Sequence, residues 1–394
     1  MIGGDPHQGG ATWAVLQYVL GLRELGHDVY LVEPVSPSRL RPDAAPLSAS
    51  INATYFQDVA ARFDLGDRAT LLRQDTRETV GLPYGDLLDA VLGGDLLINV
   101  SGMLTDPALL EALQRRVYLD LDPVFNQLWH AVENVDMRFS GHTHFVTVGT
   151  LIGSSACDVP TCDRSWLPTL QPIVLSEWPR AFGTPSGGWT TVGNWRGYGS
   201  IERNGVFFGQ KAHSFRLFVE LPRRIHDRCR PALAIHPAEV SDLRALRTHG
   251  WDLVDPVVVA GTPDRYREFI QSSKGELGIA KSGYVEARCG WFSDRSVCYL
   301  ASGRPVVAQD TGFGDALPTG EGLFAVGTLD EAVTAIETAN ADYDRHCQRA
   351  REIAEAHFRS DVVLPALIEQ VGAAHDSSRH TQPAGGYSGA SARR

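Results

Sequence analysis

The sequence predicts an α/β protein of two Rossmann-like domains facing each other across a cleft. Three observations lead there. A glycine loop, GDPHQGG, opens directly into a long one-faced helical stretch near the N-terminus. Apolar strand-like runs and helical runs then alternate along the chain, the pattern of parallel sheets covered by helices. A second unit, KSGYVEARCGWFSDRSVCYLASGRPVVAQDTGFGDALPTGEGLF over residues 281–324, repeats loop, helix, turn, strand and loop in the other half.

The first half reads in order. Residues 1–4 leave no room for a full strand ahead of the glycine loop, so the sequence implies either a very short first strand or a late start. The helix expected over 11–25 places Val15, Leu16, Val19, Leu22 and Leu25 on one stripe, with Gly26 as its cap. Gly9 and Gly10 at its start let a ligand approach the backbone. A strand follows at 29–32, then a Pro/Ser/Ala loop over 34–50, helices near 51–64 and 84–92, a strand at 95–100, a helix at 107–114 and a strand at 117–121. Asp120 and Asp122 stand at the end of that strand. A strand at 145–148 leads to a polar loop over 149–169, and residues 168–185 read as the domain linker.

The second half opens on a strand at 189–192 and a loop, GNWRGYG, that carries Arg196; Lys211 opens a helical stretch to about residue 224. Strands are expected at 232–236 and 256–259, and helices at 239–248, 263–273, 329–340, 342–357 and 361–373. In the central unit Ser293 is a good N-cap, and Val297, Leu300 and Ala301 fall on one helical face. Gly303 and Pro305 stop the helix. Val306 to Ala308 form a buried strand, and Asp310-Thr311-Gly312 lies at its C-terminal end, where open α/β sheets bind ligands. The free N–H groups of the helix start and the charge of Arg295 suit a diphosphate. The Asp310–Glu321 loop is expected at the same sheet edge. The expected division is 1–178, 190–345, returning helices at 346–373, and a disordered tail over 375–394.

Composition narrows the partners. A formal net charge of −11 argues against nucleic acid or an anionic membrane surface. No apolar run reaches 18 residues, so no membrane span is expected. Lysine occurs only at 211, 274 and 281, an arginine bias that suggests a high-GC bacterial source. The six cysteines read as free thiols in a reducing cytoplasm. Cys157 and Cys162 are the one close pair, with His142 and His144 nearby, and no second pair completes a zinc set.

The opening GGATWAVLQYVLGLRELGHDVYLVEP and the segment YLASGRPVVAQDTGFG…GEGLF together resemble a GT-B glycosyltransferase, especially the family 4 type. The matching motifs span about 70 residues, and the order of elements matches over roughly residues 1–370. The resemblance implies a cytoplasmic enzyme with a nucleotide-diphosphate sugar as co-substrate and no other cofactor. The donor would sit on the second domain and the acceptor on the first, with the last helix crossing back onto the first. It implies that Arg196, Lys211, Arg295 and Ser296 face the diphosphate. Asp310, Thr311 and Gly312 would meet sugar hydroxyls, and Glu321 the ribose or sugar. In the resembled family two glutamates are separated by seven residues across this helix; the matching positions here are Gly290 and Cys298, with Glu286 and Asp294 out of register.

Catalysis by inversion needs a base from the first domain. His7 is the first candidate, since imidazole titrates near neutrality, with Asp5 or Asp122 orienting it or acting instead. The absence of a basic amphipathic helix favours a small-molecule acceptor, as in bacterial secondary metabolism. Two rivals stand beside this reading. A nucleotide-sugar epimerase of the same fold would need an acidic cluster from Asp5, Asp120 and Asp122. A non-catalytic nucleotide-sugar-binding protein is suggested by the replaced glutamates.

Overall fold

The computed structural model describes residues 1–183 and 187–380, without the side chains of 373–380. The first half runs α1 (Gly9–Glu24), β1 (Leu31–Val35), α2 (Ile51–Arg62), β2 (Ala69–Arg73), β3 (Thr79–Gly81), α3 (Tyr84–Leu92), β4 (Leu97–Val100), α4 (Pro107–Leu110), β5 (Arg116–Asp120), α5 (Phe125–Ala131), β6 (His144–Thr147) and β7 (Trp166–Pro168). Its strands form two sheets, β1-β2-β3 and β4-β5-β6-β7, parallel except for β3. No strand precedes α1 among the described residues. Instead the backbone amides of Ile2, Gly3 and Gly4 donate to the buried carboxylate of Glu33 on β1 at 2.9–3.0 Å. Pro34 sits in β1, which pairs only with β2, the edge position that tolerates a missing N–H.

The second half runs β8 (Trp189–Asn194), β9 (Ile201–Arg203), β10 (Val206–Phe208), α6 (Lys211–Leu217), α7 (Leu221–Arg224), β11 (Cys229–Ala234), α8 (Val240–Thr248), α9 (Pro256–Ala260), α10 (Pro263–Ser272), β12 (Gly275–Gly278), α11 (Ser282–Ala287), α12 (Asp294–Ala301), β13 (Val306–Gln309) and β14 (Leu323–Val326). Three helices close the chain: α13 (Leu329–Ala341), α14 (Tyr343–His357) and α15 (Ser360–His380). The second-half sheet has the order β11-β8-β12-β13-β14 and is parallel throughout. The chain leaves β8 to one side and β12 to the other. That reversal is a topological switch point, where such sheets hold ligands at the strands' C-terminal ends.

The α12 unit forms as its sequence dictates. The Ser293 hydroxyl caps Arg295 N at 3.2 Å, Val297, Leu300 and Ala301 are fully buried, and Gly303 turns the chain at φ +68°. Elsewhere local signals were overridden. Residues 256–259, expected as a strand, form α9, because Asp255 caps Val257 N at 2.9 Å and Pro256 takes the first helical position. Val257 and Val258 are left exposed. The helix expected at 107–114 stops at Leu110, and α15 continues to His380, past the expected end at 373. The expectation of a disordered tail lies, from 381 onward, outside the described residues. The stretch read as a linker is packed over its described part. Trp178 is fully buried, Arg351 and Arg267 donate to the carbonyls of Trp178 and Glu177, and Ile173 N bonds to Phe358 O.

The halves meet closely. Leu364, Leu367 and Val371 of α15 pack with Tyr18, Val117, Leu119 and Val146 of the first half. Trp13 on α1 donates to Pro263 O at 2.9 Å and lies edge-on to Trp178. Gly9 and Gly10, expected to admit a ligand, admit the second half instead. A Cβ on Gly9 would lie 2.3 Å from Thr262 O and 2.6 Å from Ala260 O, and one on Gly10 2.8 Å from the Tyr266 ring. Gly9→Ala therefore has to push α1 off a backbone that cannot yield. It should destabilise the protein by about 1–3 kcal/mol, read as a lower denaturation midpoint. Gly10→Ala should cost less, because a side chain can give way.

Candidate functional site

The switch point gathers three largely buried charged side chains, Lys211, Arg295 and Glu276. Lys211 opens α6, on the connection from β8 to β11, and is buried. Its one hydrogen bond among the described residues goes to the carbonyl of Ile279, just beyond β12. Burial, and then the nearby charges of Arg295 and Lys281, hold its pKa well below the usual lysine value, although Glu276 works the other way. Gly193, at the end of β8, leaves the space that a side chain would take, 3.3 Å from the Lys211 stem and 3.9 Å from the Arg295 guanidinium. Arg295 spans Glu276 Oε1 at 2.5 Å and Val192 O at 3.0 Å. Glu276 is out of water, and its second oxygen has no protein partner.

The other expected donor residues are placed differently from one another. Arg295 is not a free helix-start cation, since Glu276 and Val192 already engage it. Ser296 is buried on α12 beside it. Arg196 lies in the loop after β8 but reaches out to Glu239 at 2.6 Å. Asp310 and Thr311 stand at the end of β13 and shape the loop. The Asp310 carboxylate accepts from Gly312 N at 2.9 Å and Gly314 N at 3.3 Å, Thr311 Oγ1 donates to Trp291 O, and Gly312 sits at φ +97°. Glu321 is a correction. It precedes β14, whose Leu323 pairs with Val306 at the start of β13, so it lies at the opposite sheet edge from Asp310. There Arg345 and Arg349 of α14 engage it, the latter at 3.2 Å.

Gly290 explains the missing first glutamate. It has φ +75°, and a Cβ there would lie 2.3 Å from Thr150 Oγ1. Loop 149–151 of the first half docks on this turn: Leu151 N donates to Cys289 O at 3.0 Å, Thr150 Oγ1 to Gly290 O at 3.1 Å, and Gly149 bridges Trp291. Cys298 is buried in the core of α12.

The first-half candidates separate. His7 is exposed at φ +64°, its ring edge-on to Tyr55 at 5.1 Å. Asp5 pairs with Arg39. Asp120 is fully buried and takes hydrogen bonds from Asn126, Gln127 and Thr147; burial still raises its pKa to about 6. Asp122 instead crosses to the second half, where Lys281 Nζ lies 2.8 and 3.1 Å from its oxygens and the hydroxyls of Tyr198 and Tyr284 donate to it. The three acidic residues an epimerase would need are thus held by different partners. Lys281, Tyr198 and Tyr284 were missed; the scarcity of lysine was the available signal. Among the described residues no three His, Cys, Asp or Glu side chains group to hold a metal, and all six cysteines are unpaired.

No family model matches this sequence, and no curated protein matches it significantly. Solved structures match in fold. An α-glucosyltransferase in complex with UDP aligns over 93% of this chain and 97% of its own at 12% identity, TM-score 0.55. Anabaena HepE in complex with UDP-glucose aligns over 95% and 97% at 12% identity, TM-score 0.54. An α-glucosyltransferase with UDP and a 13-mer DNA containing an HMU base aligns over 93% and 97% at 12% identity, TM-score 0.54. The fold is GT-B, two Rossmann-like domains facing each other. No described helix is long and apolar enough to cross a membrane.

Lys211 gives a stability prediction. Its pKa is depressed in the folded state, so the unfolded chain binds more protons between that value and about 10.4, the free lysine value. Stability should therefore rise with pH through this window. Lys211→Met removes the burial cost and should be at least as stable as the parent. Its advantage should be largest below the window and shrink as pH climbs through it, as followed by denaturant unfolding at stepped pH.

Proposed function

We propose that the protein is a glycosyltransferase that moves a sugar from a nucleotide-diphosphate donor to a small-molecule acceptor. We place it nearest the family 4 type, in the cytoplasm of a bacterium and in secondary-metabolite biosynthesis. One observation carries the reading. A buried lysine with no carboxylate hydrogen-bonded to it stands beside an arginine at the switch point of the second domain. Desolvated positive charge with room beside Gly193 suits a diphosphate. The fold neighbours bound to UDP or UDP-glucose support the same ligand class.

In this reading Lys211 and the backbone of the α12 start hold the diphosphate, and Asp310 to Gly312 meet the sugar. Asp122 is better placed than His7 for proton transfer, because its side chain reaches across to the second domain. Among the described residues one ring, that of Tyr55, packs against His7.

The test begins with thermal shifts against UDP-, TDP- and GDP-sugars, where a ligand at 100 times its Kd adds about 2.7 kcal/mol of stability. No shift with any of them would sink the proposal. With the nucleotide found, Lys211→Met should bind it about tenfold to a hundredfold more weakly, the loss of a charge-assisted contact. Binding of a diphosphate should raise the depressed pKa of Lys211, seen as a side-chain resonance of labelled lysine whose titration moves to higher pH. Turnover should fall about 10²–10⁴-fold in Asp122→Asn and stay within about threefold in His7→Ala. The reverse pattern would assign proton transfer to His7.

A further inference from the structure

Tyr198 stands where the first domain meets the Lys211 edge. It belongs to the stretch GNWRGYG, residues 193–199, which ends β8 beside Lys211. Within the second domain this stretch is tied down at two places. Trp195 is buried, donates through its indole to Asp242 at 2.8 Å, and its carbonyl accepts from Ala212 N at 3.1 Å. Gln210, also buried, brackets Tyr198: its carboxamide accepts from Gly197 N at 3.3 Å and donates to Gly199 O at 3.1 Å. Gln210 is the N-cap residue of α6, whose first residue is Lys211. Gly197 and Gly199 themselves pack on little; both are exposed, and a Cβ on either would meet nothing within 4 Å. Tyr198 is seated by the first domain. Its ring lies edge-on to Trp129 at 4.6 Å and to Phe125 at 5.0 Å, both on α5, and its hydroxyl donates to Asp122. Lys281 of its own domain completes the surround, with the ammonium 4.3 Å from the ring centre.

We propose that the first domain positions Lys211 through Tyr198, so that affinity for the donor diphosphate depends on α5 of the other domain. The proposal rests on the glycosyltransferase reading above. Two glycines leave the backbone around Tyr198 free to turn, so the ring contacts decide where residues 197–199 stand. The carboxamide of Gln210 reaches both flanking residues only when Tyr198 is seated. A displaced Tyr198 withdraws Gly197 N and Gly199 O from a buried amide, which is then left with unmet hydrogen-bonding groups. Gln210 has to shift to satisfy them, and Lys211, the next residue, shifts with it and lets water reach its ammonium. Tyr198 is thus a positioning residue that acts on the donor by seating Gln210 and not by touching the phosphates. The path runs from Trp129 to Tyr198, Gln210 and Lys211, and crosses the domain boundary once. Trp129 is half-buried, so the path can be cut there with little damage to the core.

The three lysines make the test direct. Protein labelled with 13Cε-lysine shows three side-chain signals, with that of Lys211 assigned by its loss in Lys211→Met. Trp129→Ala should move the Lys211 titration to higher pH, toward that of a free lysine, because its ammonium is no longer kept from water. The signal of Lys274, which pairs with Asp227 at the opposite sheet edge, should titrate as in the parent. Trp129→Phe should restore the parent titration of Lys211. UDP should bind Trp129→Ala about threefold to tenfold more weakly than the parent. In a Tyr198→Ala background, Trp129→Ala should add nothing further, because the path is already cut. Tyr198→Leu keeps bulk without the ring and serves, with the same expected shift, if Trp129→Ala does not fold. An unmoved Lys211 titration, an equal movement of Lys274, or effects of Trp129→Ala and Tyr198→Ala that simply add would overturn the proposal and leave the glycosyltransferase reading intact. A parent that binds none of UDP, TDP and GDP fells the functional reading, while the Lys211 titration, which needs no ligand, still decides whether Tyr198 places the lysine.

Discussion

The buried pair of Arg295 and Glu276 fixes the switch-point edge of the second domain. Burial works against the arginine's charge, but Glu276 outweighs it, and the guanidinium pKa is raised. The pair ties the start of α12 to β12, and through Val192 O to β8. These two strands part at the switch point, so their spacing sets how far Lys211 stands from the α12 start. Removing one partner would strand a charge out of water, at a cost of about 3–5 kcal/mol. Arg295 is therefore the frame of the site more than its contact. Glu276, whose second oxygen is unpartnered, offsets part of the positive charge that would otherwise gather there without a ligand.

Much of the fold was legible because local and long-range signals agreed. The α12 unit is the plainest case, where cap, apolar face, glycine and proline all specify the same turn. Residues 256–259 show the opposite. Three consecutive valines favour a strand by propensity, but the Asp-Pro pair ahead of them starts a helix, and the five sheet positions are taken by other strands. The hairpin of β9 and β10 was not foreseen, being too short for a period to declare itself.

The site was legible in its position and less so in its partners. Spacing put Lys211, Arg295 and Asp310 at one sheet edge, and the structure brings them there. Spacing along one strand pair cannot say which arginine will find a buried glutamate 19 residues away in sequence, nor that Glu321 begins its strand at the far edge. The glycines at 9 and 10 had two meanings, access for a ligand or access for another backbone, and only the packing of Thr262 decides between them. Asp122 was a candidate from its place at a strand end. Its engagement by Lys281 joins residues 159 apart in sequence, which no local pattern encodes.

The turn at Gly290 has a mechanical consequence. Its carbonyl and that of Cys289 are bonded to Thr150 and Leu151 of the first domain, while its own N–H is bonded to Thr311 O at 2.8 Å, in the loop after β13. One short stretch of main chain thus works as a crank between the two bodies. A rotation that separates the domains must either break these bonds or pull on the loop that follows β13. Opening of the cleft and the shape of the loop after β13 then share a single degree of freedom, and a glutamate at position 290 would have no room to join it.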